Sequence, residues 1–405
     1  MSTSVESHLQ SAPARRLALF AYGFRPFFLL AGLDALVNMG VWLAVYFDPQ
    51  IWPAEAIPAM YWHAHEMLFG FVAAAIGGFL LTAVPGWTGR TSYSGTPLVC
   101  LTLLWLAGRF AMLPSAMLQP WAASAIDLAF FPAITLVLAP PLIRARKFRN
   151  LPFIGLLTVL FLANLCFHLD SNGMLDAGEH VGLGIALDVV AILIVIVGGR
   201  IIPAFTKSGL ARHGLAVQPH SYRWLELISI ASIIAVLAAD MTTPLSAING
   251  AVAILAALAQ IFRLAQWQGY RTARDPLIWV LHLGYAWLAL GLLLKATWLL
   301  TGAAFAEKWV HALTVGAFAT MILAVMTRAS LGHTGRALMA PRNIATCYGL
   351  VSVAALVRVF APALVPAWYD GIVLISGLFW IAAFGIFLRV YTPILVRPRA
   401  DGRPG

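Results

Sequence analysis

Charge is what this 405-residue chain has least of. Asp, Glu, Lys and Arg make up 10% of it while 61% is hydrophobic, and its mean hydropathy is +0.86. Soluble proteins carry about a quarter charged residues, so this composition excludes a water-soluble globule and points to a polytopic membrane protein. Cysteine is nearly absent. Cys100, Cys166 and Cys347 stand singly in apolar runs, which excludes a disulfide framework and a thiolate metal site. No basic patch is interleaved with aromatics, so the net charge of +10 is no nucleic-acid footprint. The longest polar loop, about residues 200–223, is too short to fold as a soluble domain. No cleavable signal peptide is expected ahead of the first apolar run, only a polar head ending in Arg15 and Arg16.

Apolar runs are what fill the chain. A bilayer core of ~30 Å takes about 20 helical residues. Twelve runs qualify: roughly 26–47, 60–84, 97–114, 118–141, 152–169, 180–199, 224–240, 245–265, 276–300, 309–327, 343–365 and 371–393. The expected fold is all-α, with one twelve-helix membrane domain over 26–396. A short N-terminal segment (1–25) precedes it and a tail (397–405) follows. Alternate loops collect the basic residues: Arg144, Arg146, Lys147 and Arg149; Arg200, Lys207, Arg212 and Arg223; Arg263, Arg271 and Arg274; Arg328, Arg336 and Arg342. With the termini and Arg90, 22 of the 26 Lys and Arg fall on one side, opposite Asp48, Glu55, Asp170, Asp176, Glu179, Asp240, Glu307 and Asp370. The positive-inside rule then places both termini in the cytoplasm.

Two runs repeat each other. His65, Gly70 and Thr88-Gly89-Arg90 recur at the same intervals as His311, Gly316 and Thr334-Gly335-Arg336. A third, looser copy begins at His180 and reaches Gly198-Gly199-Arg200. The first, fifth and ninth runs open on Pro26, Pro152 and Pro276, where proline suits the first helical turn. Asn38 and Asn164 each follow their proline by twelve residues. The reading is a pseudo-threefold arrangement of four-helix units, with no broken helix at midplane.

By this topology His63, His65, His168, His180 and His311 all lie within a turn or two of the outer face. One interfacial histidine is ordinary; five at one level, three in repeat-equivalent places, point to a haem or copper centre held by imidazole. His63 and His65 are two residues apart and face nearly opposite sides of their helix. Glu66 is expected to orient His63 as an acceptor. Embedded ionisable groups mark internal function by default. Asp188 is the candidate for a proton path or metal-site acid. Asp34, Asp127, Arg109, Lys295 and Arg358 are the other embedded ionisable groups, and for Asp34 and Asp127 a buried pair with Arg or Lys that holds two helices in register is an equal alternative.

Specific stretches resemble the NnrS family. They are GFRPFF from Gly23, WHAHEML from Trp62, TAVPGWTGR from Thr82, GGRIIPAFTKSG from Gly198 and HALTVGAFATMILAVMTRASLGHTGR from His311. The resemblance runs in order from about residue 17 to 400. It implies a bacterial inner-membrane protein of the nitric oxide response in denitrifiers, containing haem and copper. The architecture is also similar to subunit I of haem-copper oxidases and nitric oxide reductases. That analogy implies a haem, of b type, between His65 and His311, with His63, His168 and His180 as candidates for copper or a second metal. The chain departs from those enzymes. It has no second histidine two residues from His311, no His-Pro-Glu-Val motif in its sixth run and no His-His pair in its seventh.

The leading expectation is a protein that binds or detoxifies nitric oxide, with quinol as the electron donor if NO is turned over. The alternatives are a twelve-helix transporter of copper or a small metabolite, and a factor that assembles haem or metal into denitrification enzymes. The topology is directly testable. Cysteines introduced at Lys147 and Asp176, in a background lacking the native three, are expected to react with an impermeant maleimide from opposite faces. Labelling of both from one face overturns the assignment.

Overall fold

The computed structural model describes residues 18–53, 57–114, 118–216 and 218–403. His8, Arg15, Arg16 and Glu55 lie outside them. Every element among the described residues is helical. In chain order the apolar helices are α1 (Phe24–Phe47), α2 (Ala59–Thr88), α3 (Thr96–Ala111), α4 (Pro120–Arg144), α5 (Phe148–Ser171) and α6 (Gly178–Arg212). They continue with α7 (Arg223–Thr242), α8 (Ala247–Gln266), α9 (Pro276–Thr301), α10 (Ala304–His333), α11 (Ile344–Leu364) and α12 (Pro366–Val396). Eleven are long and apolar enough to cross a membrane; α3, with 16 residues, is shorter. At ~1.5 Å per residue α3 reaches about 24 Å, short of a ~30 Å core. All twelve apolar runs fold as helix, and the chain is a multi-pass membrane protein.

The repeat has structural counterparts at both of its ends. Directly after His65, residues Glu66–Val72 wind as a π-helix, and directly after His311 so do Ala312–Ala319. Such wide turns are rare and concentrate at functional sites. At the other end, Gly89 (φ 67°) and Gly335 (φ 69°) adopt the left-handed conformation. The following N–H of Arg90 reaches the Pro85 carbonyl at 3.1 Å, and that of Arg336 reaches Leu331 at 3.0 Å. Thr88 and Thr334 hydroxyls bond back to Val84 and Ser330. The Thr-Gly-Arg echo is therefore a helix-closing motif, in which glycine supplies positive φ and two end carbonyls gain donors. In the looser copy, Gly198 and Gly199 keep ordinary helical φ. With nothing to stop it, α6 runs on for 35 residues.

Within α4 the hydrogen-bond ladder opens at Ala129, which itself keeps helical φ and ψ. Pro132 has no N–H for the Leu128 carbonyl, so the ladder opens there. The break falls two residues after Asp127.

α2, α6 and α10 touch one another pairwise. They and α9 are the most enclosed helices: 67–72% of their apolar windows are buried, against 28–44% elsewhere. α1 packs on α12, joining the first helix to the last. Fully buried Arg25 fastens that join, donating to the Leu395 and Arg397 carbonyls at 2.8 and 2.7 Å. The tail is tied in as well, Ala400 N–H reaching the Thr334 carbonyl at 3.0 Å.

The repeat glycines are packing sites. A methyl at Gly316 would lie 2.6 Å from the Trp287 ring of α9, whereas one at Gly89 would meet open space and strain only the backbone. Gly316→Ala is thus expected to cost about 1–3 kcal/mol by overpacking. Gly89→Ala is expected to cost about 1–2 kcal/mol through its left-handed φ. Thermal unfolding in detergent checks both, and an unchanged midpoint for Gly316→Ala refutes the tight α9–α10 approach.

Candidate functional site

The π-helical turn of α2 places His65 and Glu66 against α3, α4 and α5. His65 is fully buried. Its Nδ1 lies 3.0 Å from Glu66 Oε1, and its Nε2 lies 2.9 Å from Asn164 Oδ1 and 3.3 Å from Asp127 Oδ2. Asp127 Oδ2 also faces His168 Nε2 at 2.9 Å and accepts from Asn164 Nδ2 at 2.7 Å. Arg109 of α3 spans the two carboxylates, donating to Glu66 Oε1 at 2.6 Å and to Asp127 Oδ1. Gly70 makes room for this. A side chain there would come within 2.7 Å of Asp34 Oδ2 and 3.0 Å of Arg109. Helix α1 contributes Asp34 and Asn38, both buried.

Donor counting defines what this pocket asks for. A neutral imidazole has one N–H, yet both nitrogens of His65 face oxygen acceptors. Turning the Asn164 amide over would present its oxygen to Asp127 instead, so the conflict only moves. With Glu66 and Asp127 ionised, His65 carries a second proton or a cation stands in for it. One donor atom each from His65, Asp127 and His168 lie within 4.8 Å of one another. Two imidazoles and a carboxylate suit copper or non-haem iron. Glu66 against His65 is the outer acceptor that metal-bound histidines have on their second nitrogen. Asp34 and Asn38 are hydrogen-bonding neighbours of each other, though Asp34 Oδ2 and Asn38 Nδ2 have no closer partner.

His63 and His65 do point apart. His63 stacks on Trp42 of α1, with centroids 4.6 Å apart. Across from it stands His311, and the two are electrostatic neighbours of each other and of Arg358 on α11. His63 Nδ1, His311 Nδ1 and Arg358 Nη1 are all buried and lack hydrogen-bond partners. So the structure groups His65 with His168, and His63 with His311. Glu66 meets His65 and not His63. His180, on the first turn of α6, is exposed.

Asp188 of α6 belongs to a third group. Its carboxyl is within hydrogen-bonding range of Asp240 at the end of α7. Asp240 pairs with buried Lys295 of α9 and accepts from Asn249 at 2.6 Å. The Lys295 ammonium sits 4.9 Å from the Trp309 ring centroid.

The sequence reading named most of these ionisable residues but not their partners. Asn164 was marked only by its repeat spacing from Pro152, and it turns out to join Asp127 to His65. Arg109 carries no signal beyond being a charge in an apolar run.

Breaking a buried ion pair from one side costs about 3–5 kcal/mol. Arg109→Met is accordingly expected to destabilise the protein by that order, while Arg109→Met combined with Glu66→Gln recovers part of the loss. Unfolding midpoints in detergent measure both. A single variant as stable as wild type would show that the carboxylates do not depend on Arg109.

A family model described as NnrS protein matches residues 18–399, nearly the whole chain. No curated protein matches it.

Proposed function

The chain belongs to the NnrS family, and from that premise we propose that it serves the bacterial nitric oxide response. In this reading it is an inner-membrane protein of twelve spans in a pseudo-threefold arrangement, with both termini cytoplasmic. It binds or detoxifies NO at haem and copper held near the periplasmic face.

The observation that carries the proposal is His65, a buried imidazole with acceptors at both nitrogens. Copper fits there, with His65 Nε2, His168 Nε2 and Asp127 Oδ2 as donors. Glu66 orients the His65 ring, and Arg109 occupies the second oxygen of Asp127 so that the carboxylate turns Oδ2 inward. Asn164 fixes the angle between Asp127 and His65. A haem of b type would be held in the second group, by His63 and His311 with their unpartnered ring nitrogens. Arg358 there has a free guanidinium nitrogen suited to a propionate carboxylate. The haem ligands we assign would then be His63 and His311 rather than His65 and His311, because His65 is already committed to Glu66 and Asp127. His180 stays outside both groups. Ferrous haem and cuprous copper supply the electron-rich metal that binds NO, an apolar gas that concentrates in lipid and needs no polar channel. Asp188, with Asp240, is the proton-path candidate, and a membrane quinol is the electron donor we assign if NO is turned over.

One observation favours a second reading. Two carboxyls beside a single lysine inside a membrane, Asp188 and Asp240 with Lys295, are the kind of group an ion-coupled transporter of copper or a small metabolite uses.

The decisive measurement is metal analysis with reduced-minus-oxidised spectra of wild type, His311→Ala and His168→Ala. Wild type is expected to hold haem and copper; His311→Ala loses the haem bands and keeps copper, and His168→Ala does the reverse. Haem lost in His65→Ala but kept in His63→Ala returns the axial pair to His65 and His311. A wild type with neither cofactor overturns the reading and puts transport ahead.

A further inference from the structure

An apolar cavity of about 80 Å³ lies where α2, α6 and α10 meet. Each of the three helices lines it: Ala75 and Phe79 from α2, Val190 and Ile194 from α6, Met321 and Val325 from α10. The opening turns of α1 and α5 each add a phenylalanine. Every lining side chain is apolar, and the walls are deep: Val190 and Met321 are each 3% exposed. A buried water needs two to four polar partners and about 10–15 Å³. The cavity has several times that room and none of the partners. Its ligand is therefore apolar and, at about 80 Å³, small.

The position adds a second argument. Val72, the last residue of the first π-helical stretch, lines the cavity, and Met321 follows the second stretch by two residues. The cavity thus begins where the two histidine-bearing segments end. α2 and α10 connect it to both imidazole groups.

We propose that this cavity binds an apolar diatomic gas and holds it at the ends of the two π-helical stretches that lie away from the histidines. That the gas is nitric oxide rests on the function proposed above; the size and chemistry of the site do not.

Xenon tests the site without any metal. Crystals of the full-length protein under xenon pressure are expected to show a bound atom between Ala75, Val190 and Met321. Ala75→Phe, which fills the space, is expected to abolish it. Should that variant not fold, Val325→Phe fills the same space from α10. Absence of xenon from wild type, an equal peak in the filled variant, or a lipid acyl chain in the cavity each overturns the proposal. Because xenon needs no redox centre, failure here leaves the NO reading standing. Xenon binding in a protein that shows no NO spectrum keeps the gas site and removes NO as its ligand.

Discussion

Arg109 is the contact on which the polar half of the structure depends. In hydrocarbon an unpaired charge is expensive, and α2 and α4 each bring a carboxylate, Glu66 and Asp127, to the same place. Arg109 answers both with its permanent charge, and His65 is their other shared partner. It comes from the one apolar helix too short to span unaided, so α3 is held by this ion triad as well as by its apolar face. Gly70 is part of the same constraint, since any side chain there would occupy the space of Asp34 and Arg109. The wide turn that contains Gly70 lets Glu66 and His65, adjacent in sequence, reach the same pocket.

The repeat shows one backbone device filled in two ways. Both copies place a histidine, a π-helical stretch and a glycine in the same order, and both close on a left-handed glycine. In α2 the residue after the histidine is Glu66, and the pocket is hydrogen-bonded, charged and crowded. In α10 it is Ala312, and His311 is left with an unpartnered nitrogen facing His63 and Arg358. The conserved element is geometry; the chemistry differs with the side chains around it.

Much of the fold was legible because lipid solvent enforces a simple code. Apolar runs of helical length became helices, and even α3 appeared where the hydropathy placed it. The Thr-Gly-Arg echo was visible as a pattern and hidden as a cause, because a left-handed glycine is a backbone property. The break in α4 had a signal in Pro132 that hydropathy does not weigh. The site was legible in its residue types and not in its partners. Depth along a helix can be counted, but which helices face each other depends on packing, so His65 and His311 looked like a pair by register. His65 instead faces α5, where Asn164 and His168 lie one turn apart. Arg109 was unreadable as a keystone, since its meaning comes entirely from carboxylates on other helices.

Asp34 carries the charge argument one step further. Glu66 and Asp127 are matched by Arg109 and a cationic His65, so these four groups are neutral together. Asp34, on α1 beside Gly70, is then surplus in charge, with Asn38 as its hydrogen-bonding neighbour. A third carboxylate in such a pocket must hold a proton or meet a further positive charge. A divalent ion in place of the second His65 proton supplies that charge. A monovalent ion leaves Asp34 protonated, and its hydroxyl then needs an acceptor. The surplus carboxyl of Asp34 and the doubly accepting surroundings of His65 describe one deficit of positive charge, which the metal proposed between His65, Asp127 and His168 would meet.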